Sequence, residues 1–220
     1  MTATPAPAAT VTRRRAETRD RLMDAAIRIF AERGVLGASV EELSERAGFT
    51  RGAFYSNFGS KDELVLALLS REAEVQIGHA RRAIQTVLTV APDTEEAAAA
   101  LIGRTVELFF GAQGTDREWL VAQRELRLYA IRNPAVSADF VAFDEQCRDE
   151  LVSLLTDALT ATGRAFAVPV DQALTMLIAV YEHTVLQTLT AGVPSLGPGP
   201  RDVMTTLLTA ITRTASESSR

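Results

Sequence analysis

At 220 residues the chain can hold one domain or two small ones around a sizeable buried core. Hydrophobic content is 47%, strand-like alternation is absent, and no apolar run approaches the ~18 residues of a membrane-crossing helix. An all-α protein with no membrane partner and a cytoplasmic location is therefore expected. Net charge is −5, yet residues 12–61 carry ten basic against seven acidic groups and residues 62–220 thirteen against twenty-one, so only one end suits a polyanion.

Residues 1–16, rich in Ala, Thr and Pro ahead of Arg13, Arg14 and Arg15, are expected to form a disordered arm. No apolar stretch follows their charges, so they do not read as a signal peptide. The three arginines fit either a basic arm for a minor groove or a solvated tail.

A first helix spans roughly 17–33, with Leu22, Ala26, Ile29 and Phe30 on one face and Gly34 at its end. Ser39 and Glu42 make a capping box for a second helix over 40–47, which Gly48 closes in the left-handed conformation. Thr50 caps a third helix over 51–57, where Phe54 and Phe58 lie four apart and share a face. Gly52, Tyr55 and Ser56 then point the other way, with Arg51 at the amino terminus. A short helix, a glycine turn and another short helix make the helix-turn-helix pattern, whose second helix enters the DNA major groove. Ser60 and Glu63 form a second capping box for a long helix from Lys61 to about residue 88.

Five more helices follow, over 94–112 (capped by Asp93 with Glu96), 116–132 (opened by Thr115 with Glu118), 134–162, 169–191 and 200–215. Residues 216–220 read as a frayed tail. The eighth helix is apolar around much of its circumference, through Leu174, Leu177, Ile178, Tyr181, Val185 and Leu189, extended by Ala173, Met176, Val180 and Leu186. Such a helix must bury two faces. Val203, Met204, Leu207, Leu208 and Ile211 give the ninth helix a second strong stripe. The lone Cys147 excludes an intramolecular disulfide and reads as a small buried hydrophobe. His79 and His183 are far apart, with no nearby ligand spacing, so neither a metal site nor a catalytic constellation is expected.

The run TRDRLMDAAIRIFAERG (18–34) followed by SVEELSERAGFTRGAFYSNFGSKDEL (39–64) resembles the amino-terminal domain of the tetracycline-repressor (TetR) family. The likeness runs without a gap from 18 to 64 and includes Ala26, Phe30, Gly34, Ala47, Gly48 and the Tyr55–Phe58–Lys61–Leu64 frame. It implies a DNA-binding domain over 17–60 and a helical effector-binding and dimerisation domain over 61–215. The function implied is a ligand-responsive dimeric repressor on a palindromic operator, without a cofactor. An activator, or a DNA-binding protein of the same fold without ligand control, is the alternative; an enzyme or a helical scaffold are the rivals of other classes.

On this reading Arg51 reads a base edge, since a guanidinium can donate twice to guanine, and Gly52 lets the backbone approach closely. Tyr55 places its hydroxyl on a phosphate; Asn57 and Lys61 are phosphate contacts, Ser39 and Thr50 contribute from helix starts, and Ser56 shares the exposed face. Candidate effector-binding residues are Phe109, Phe110, Trp119, Gln123, Tyr129, Phe143, Tyr181 and His183, and plain core is the competing reading for the aromatic ones. Arg124, Glu125 and Arg127 form a salt-bridged surface or polar anchors. The resemblance also implies that the last two helices pair with their two-fold mates in a four-helix bundle, through Leu174, Val180, Leu186, Met204, Leu208 and Ile211.

Overall fold

A computed structural model of the chain describes residues 7–87, 94–112, 117–192 and 198–215. The fold is all-α. Among the described residues the helices are α1 (Pro7–Gly37), α2 (Val40–Ala47), α3 (Arg51–Tyr55), α4 (Lys61–Val87), α5 (Glu95–Ala112), α6 (Arg117–Arg132), α7 (Pro134–Ala161), α8 (Val170–Thr190) and α9 (Pro198–Ile211). Two three-residue strands, β1 (Arg164–Phe166) and β2 (Thr212–Thr214), pair antiparallel with Ala165 opposite Arg213. This ribbon is an addition to the expected all-helical pattern; three residues per strand are too few to show alternation. Among the described residues, no helix is long and apolar enough to cross a membrane.

The first helix starts earlier than expected. Residues 7–16, read as a disordered arm, are helical. No Gly or Pro interrupts the run after Pro7, and proline is tolerated at a first helical position. Near its other end α1 breaks at Gly34, whose φ of 73° and ψ of 165° leave helical space. The backbone there favours glycine, and a Cβ, 2.7 Å from Glu125 Oε2 on α6, would also push that flexible side chain aside. The expected caps Asp93 and Thr115 lie outside the described residues; Thr94 caps α5 by accepting from Ala97 N at 3.1 Å.

The chain divides into two compact units, residues 1–70 with 118–140, and residues 71–117 with 141–220. The core of the first joins Leu22, Phe30, Phe54, Phe58 and Leu64 to Leu126, all fully buried. Helix α6 also lends Ala122 and Ala130 to this core, and Trp119 and Tyr129 pack against it. Each large side chain so buried contributes roughly 1.5–3 kcal/mol. In the second unit, Phe109, Phe110 and Tyr181 bring α5 and α8 together, with ring centroids 5.6 to 6.0 Å apart. Arg201 on α9 meets Glu107 on α5 at 2.7 Å.

Candidate nucleic-acid interface

Helix α2 is fixed at both ends. Ser39 Oγ accepts from Glu42 N at 3.2 Å, while the Glu42 carboxylate accepts from Ser39 N at 3.1 Å and pairs with Arg33 at 2.5 Å. The bonds from Ser39 hold the Glu42 carboxyl below the ordinary carboxylate range. At the other end Gly48 turns left-handed at φ 74°, its amide and that of Phe49 donating to Glu45 and Ser44 carbonyls. Arg21 on α1 donates to the Ala47 carbonyl at 2.8 Å and covers the Phe49 ring.

Helix α3 follows at once. Thr50 Oγ1 accepts from Ala53 N at 3.2 Å, and Phe54 and Phe58 are wholly buried, ring centroids 5.8 Å apart. The opposite side is open: Arg51, Gly52, Tyr55 and Ser56 are all exposed, as are Ser39 and Thr50. The Arg51 side chain is 63% exposed and pairs with Glu41 of α2 at 2.6 Å. Its guanidinium carbon lies 5.5 Å from the Tyr55 ring centroid. Ser56 Oγ donates to Gly52 O at 2.6 Å.

Two expected phosphate contacts turn inward. Helix α3 ends at Tyr55, two residues before the expected stop, and the chain then rotates Asn57 into the domain, where it is 8% exposed. Its Nδ2 donates to Ala53 O at 2.8 Å, and its carbonyl accepts from Arg19. Lys61 folds back, its ammonium donating to Val35 O at 2.8 Å and Ala38 O at 2.9 Å. These carbonyls lie around the end of α1, where a helix leaves acceptors unfilled. Burial pushes the Lys61 amine below its usual range, against the opposing charge of Asp62.

Sequence reasoning missed Arg19 and Glu41. Arg19 stacks on Phe58 at 4.0 Å and pairs with Glu63 at 3.6 Å, bracing the end of α3 from α1. Glu41 reads in sequence as an ordinary acidic residue in a helix's first turn; only the fold brings it to Arg51.

The expected effector residues are divided between the two units. Trp119, Gln123 and Tyr129 belong to the first unit, and Gln123 is buried there. Phe109, Phe110, Phe143 and Tyr181 belong to the second, while His183 is exposed. Helical spacing identifies a face but not its neighbour, so α6 aromatics that close the first unit's core looked equivalent to those on α5 and α8. Among the described residues no group of three or more His, Cys, Asp or Glu is placed to hold a metal.

The expected dimer stripe also divides. Leu174, Met204 and Ile211 are buried in the single chain, so their apolar surface is already used. Val180 and Leu208 are half-buried, and Leu186 is 55% exposed. Met176 and Ile178 on α8 and Val203 on α9 are exposed as well.

The sequence profile of the bacterial regulatory proteins of the tetR family matches residues 22–68, spanning the helix-turn-helix just described. Residues 22–68 are an amino-terminal domain of the TetR type. Among curated proteins it is similar to the HTH-type transcriptional activator FasR of Mycolicibacterium smegmatis, 29% identical over 144 residues, 64% of this chain and 60% of that protein. It is also similar to the HTH-type nicotine-responsive transcriptional repressor HdnoR of Paenarthrobacter nicotinovorans, 30% identical over 118 residues, 54% of this chain and 57% of that protein. The match thus spans 60% or less of these TetR-type relatives. Among solved structures, the transcriptional regulator FadR from Bacillus subtilis in complex with stearoyl-CoA has a TM-score of 0.63 at 19% identity, covering 87% of this chain and 98% of that one. At that identity the likeness is one of fold.

Proposed function

We propose that this chain is a dimeric transcriptional repressor that binds a palindromic operator through α3 and is released by a small-molecule effector. The observation that carries the reading is the two-sidedness of α3 and the turn that follows it. Phe54 and Phe58 anchor one side with no exposure, and Arg51, Gly52, Tyr55 and Ser56 stand open on the other. A rigidly backed helix with an arginine, a side-chain-free approach point and a tyrosine hydroxyl suits entry into a major groove. Arg51 reads a base, Tyr55 meets a phosphate, and Ser39 and Thr50 flank the same surface.

Exposed Leu186, Met176 and Val203 support pairing of α8 and α9 with a second copy, because large apolar side chains left open on neighbouring helices favour association. A small-molecule effector is supported by the relatives, since HdnoR is nicotine-responsive and FadR holds stearoyl-CoA. The aromatic group of Phe109, Phe110 and Tyr181 is the best-supported lining for it. The FasR likeness, over more of the chain than the HdnoR one, favours activation as the second reading. The sign of regulation depends on where the operator lies relative to the promoter.

A gel-shift titration against duplex from the chain's own promoter tests the reading. Binding should weaken with salt, at a log–log slope of about −0.9 for each phosphate that a basic side chain neutralises. A slope near zero, or equal affinity for shuffled DNA, overturns it. A reporter gene placed behind that promoter separates repression from activation.

A further inference from the structure

The reading face of α3 carries an acid. Glu41, in the first turn of α2, holds Arg51 Nη1 at 2.6 Å, and the two side chains are 52% and 63% exposed. Neither is buried by the fold, so both remain on the surface that the proposed function turns toward DNA. A carboxylate there is costly, because phosphates repel it. Stabilising α2 does not require it at that spot, since Glu42 already supplies the acidic half of the capping box.

An arginine has five N–H donors in a planar fork. Glu41 engages Nη1 and a side-chain hydrogen bond to Tyr55 engages the same guanidinium, which leaves the remaining donors for an acceptor pair. The Tyr55 ring, 5.5 Å from the guanidinium carbon, lies within range of a cation–π contact and limits the rotations left to the side chain. The arginine is thus neutralised and aimed at once. A neutralised arginine gains little from a phosphate, whose appeal is mainly charge, but keeps its geometry for the O6 and N7 of guanine.

We propose that Glu41 is a specificity-determining positioning residue, which withholds Arg51 from phosphates and orients it toward a guanine edge. The inference rests on Arg51 being the base reader of the proposed function. Removing the carboxylate frees Arg51 to meet any backbone. An exposed ion pair is worth about 1.5- to 5-fold in an equilibrium, so shuffled DNA should gain affinity by about that factor per reading helix. The selected site should gain less, and the ratio between them should narrow.

The test starts with selection of preferred duplexes from a random library by the full-length wild type. Wild type, Glu41→Gln, Arg51→Ala and the double variant are then titrated against the selected duplex and a shuffled one across a salt series. Glu41→Gln should tighten shuffled DNA by about 1.5- to 5-fold per reading helix and steepen its salt slope by about 0.9 per reading helix, as one more phosphate is engaged. In the Arg51→Ala background the same substitution should do much less, which separates an effect through Arg51 from general charge repulsion. An unchanged ratio and slope in Glu41→Gln, or an equal gain with and without Arg51, overturns the role of Glu41 while leaving DNA reading intact. A wild type that selects no sequence overturns both.

Discussion

Tyr129 donates its hydroxyl to the Asp62 carboxylate at 2.6 Å, tying the last turn of α6 to the first turn of α4. Asn133 Nδ2 adds a second donor to the same oxygen at 3.3 Å. Burial and then the Asp62 bond raise the Tyr129 phenol above its ordinary value. An acid whose folded pKa is raised lends stability that is complete below the unfolded value and lost as pH rises through the folded one. Tyr129→Phe should therefore lower unfolding free energy by about 1–2 kcal/mol near neutral pH, keeping the ring and losing one hydrogen bond to a charged group. Denaturant melts at pH 7 and above pH 10 should show the gap between wild type and variant shrinking at high pH. A gap that stays constant would remove Asp62 from the account.

Lys61 should act on stability more than on DNA. Lys61→Met keeps the stem and deletes both bonds to the Val35 and Ala38 carbonyls, and should cost roughly 2 kcal/mol. The melting temperature should fall, while affinity measured well below the melting point should change little. Equal stability with uniformly weaker DNA binding would return Lys61 to the phosphate role that the sequence suggested.

The capping box of α2 should be sensitive to acid. The Glu42 carboxyl sits below its ordinary value, chiefly through its bonds to Ser39. A depressed acid lends stability present above its unfolded pKa and lost as pH falls through the folded one. Ser39→Ala should cost about 1 kcal/mol at pH 7. Glu42→Gln should be less stable than wild type at pH 7 and approach it near pH 3. Thermal melts followed by circular dichroism at both pH values measure this.

Two leucines on α8 should part company. Leu186 is 55% exposed within the chain and Leu174 is 4% exposed. Leu186→Glu should leave a folded chain that fails to associate, because the charge would be buried unpaired in both copies of a two-fold interface. Leu174→Ala should instead destabilise the fold by ~2–5 kcal/mol as a core truncation. Light scattering and denaturation on the same preparations distinguish the two. A Leu186→Glu protein that stays dimeric would move the interface elsewhere.

Much of the fold was legible because its signals are local. The capping box at Ser39 and Glu42 with Gly48 behind it gave α2 as 40–47, and the helix is Val40–Ala47. Thr50 marked the start of α3 equally well. What was missed depends on partners distant in sequence. Lys61 and Asn57 turn inward to carbonyls of residues 35, 38 and 53, and no spacing rule announces which carbonyl a distant side chain will meet. Leu174, Met204 and Ile211 are used up by neighbouring helices, while Leu186 in the same apolar pattern is not. Periodicity finds a stripe; which element covers it is tertiary information.

Helix α6 bears on how such regulators can be recombined. Leu126, Ala122 and Ala130 complete the core that holds Phe30 and Phe54, although 67 residues separate Phe54 from Ala122. The DNA-binding segment is therefore not a cassette that ends at residue 60. A hybrid that grafts residues 1–60 onto a foreign body would leave this core without Ala122, Leu126 and Ala130, and should aggregate or recruit whatever helix the host offers. A transplant that carries residues 118–140 along, or a host helix redesigned to match them, should keep the head intact.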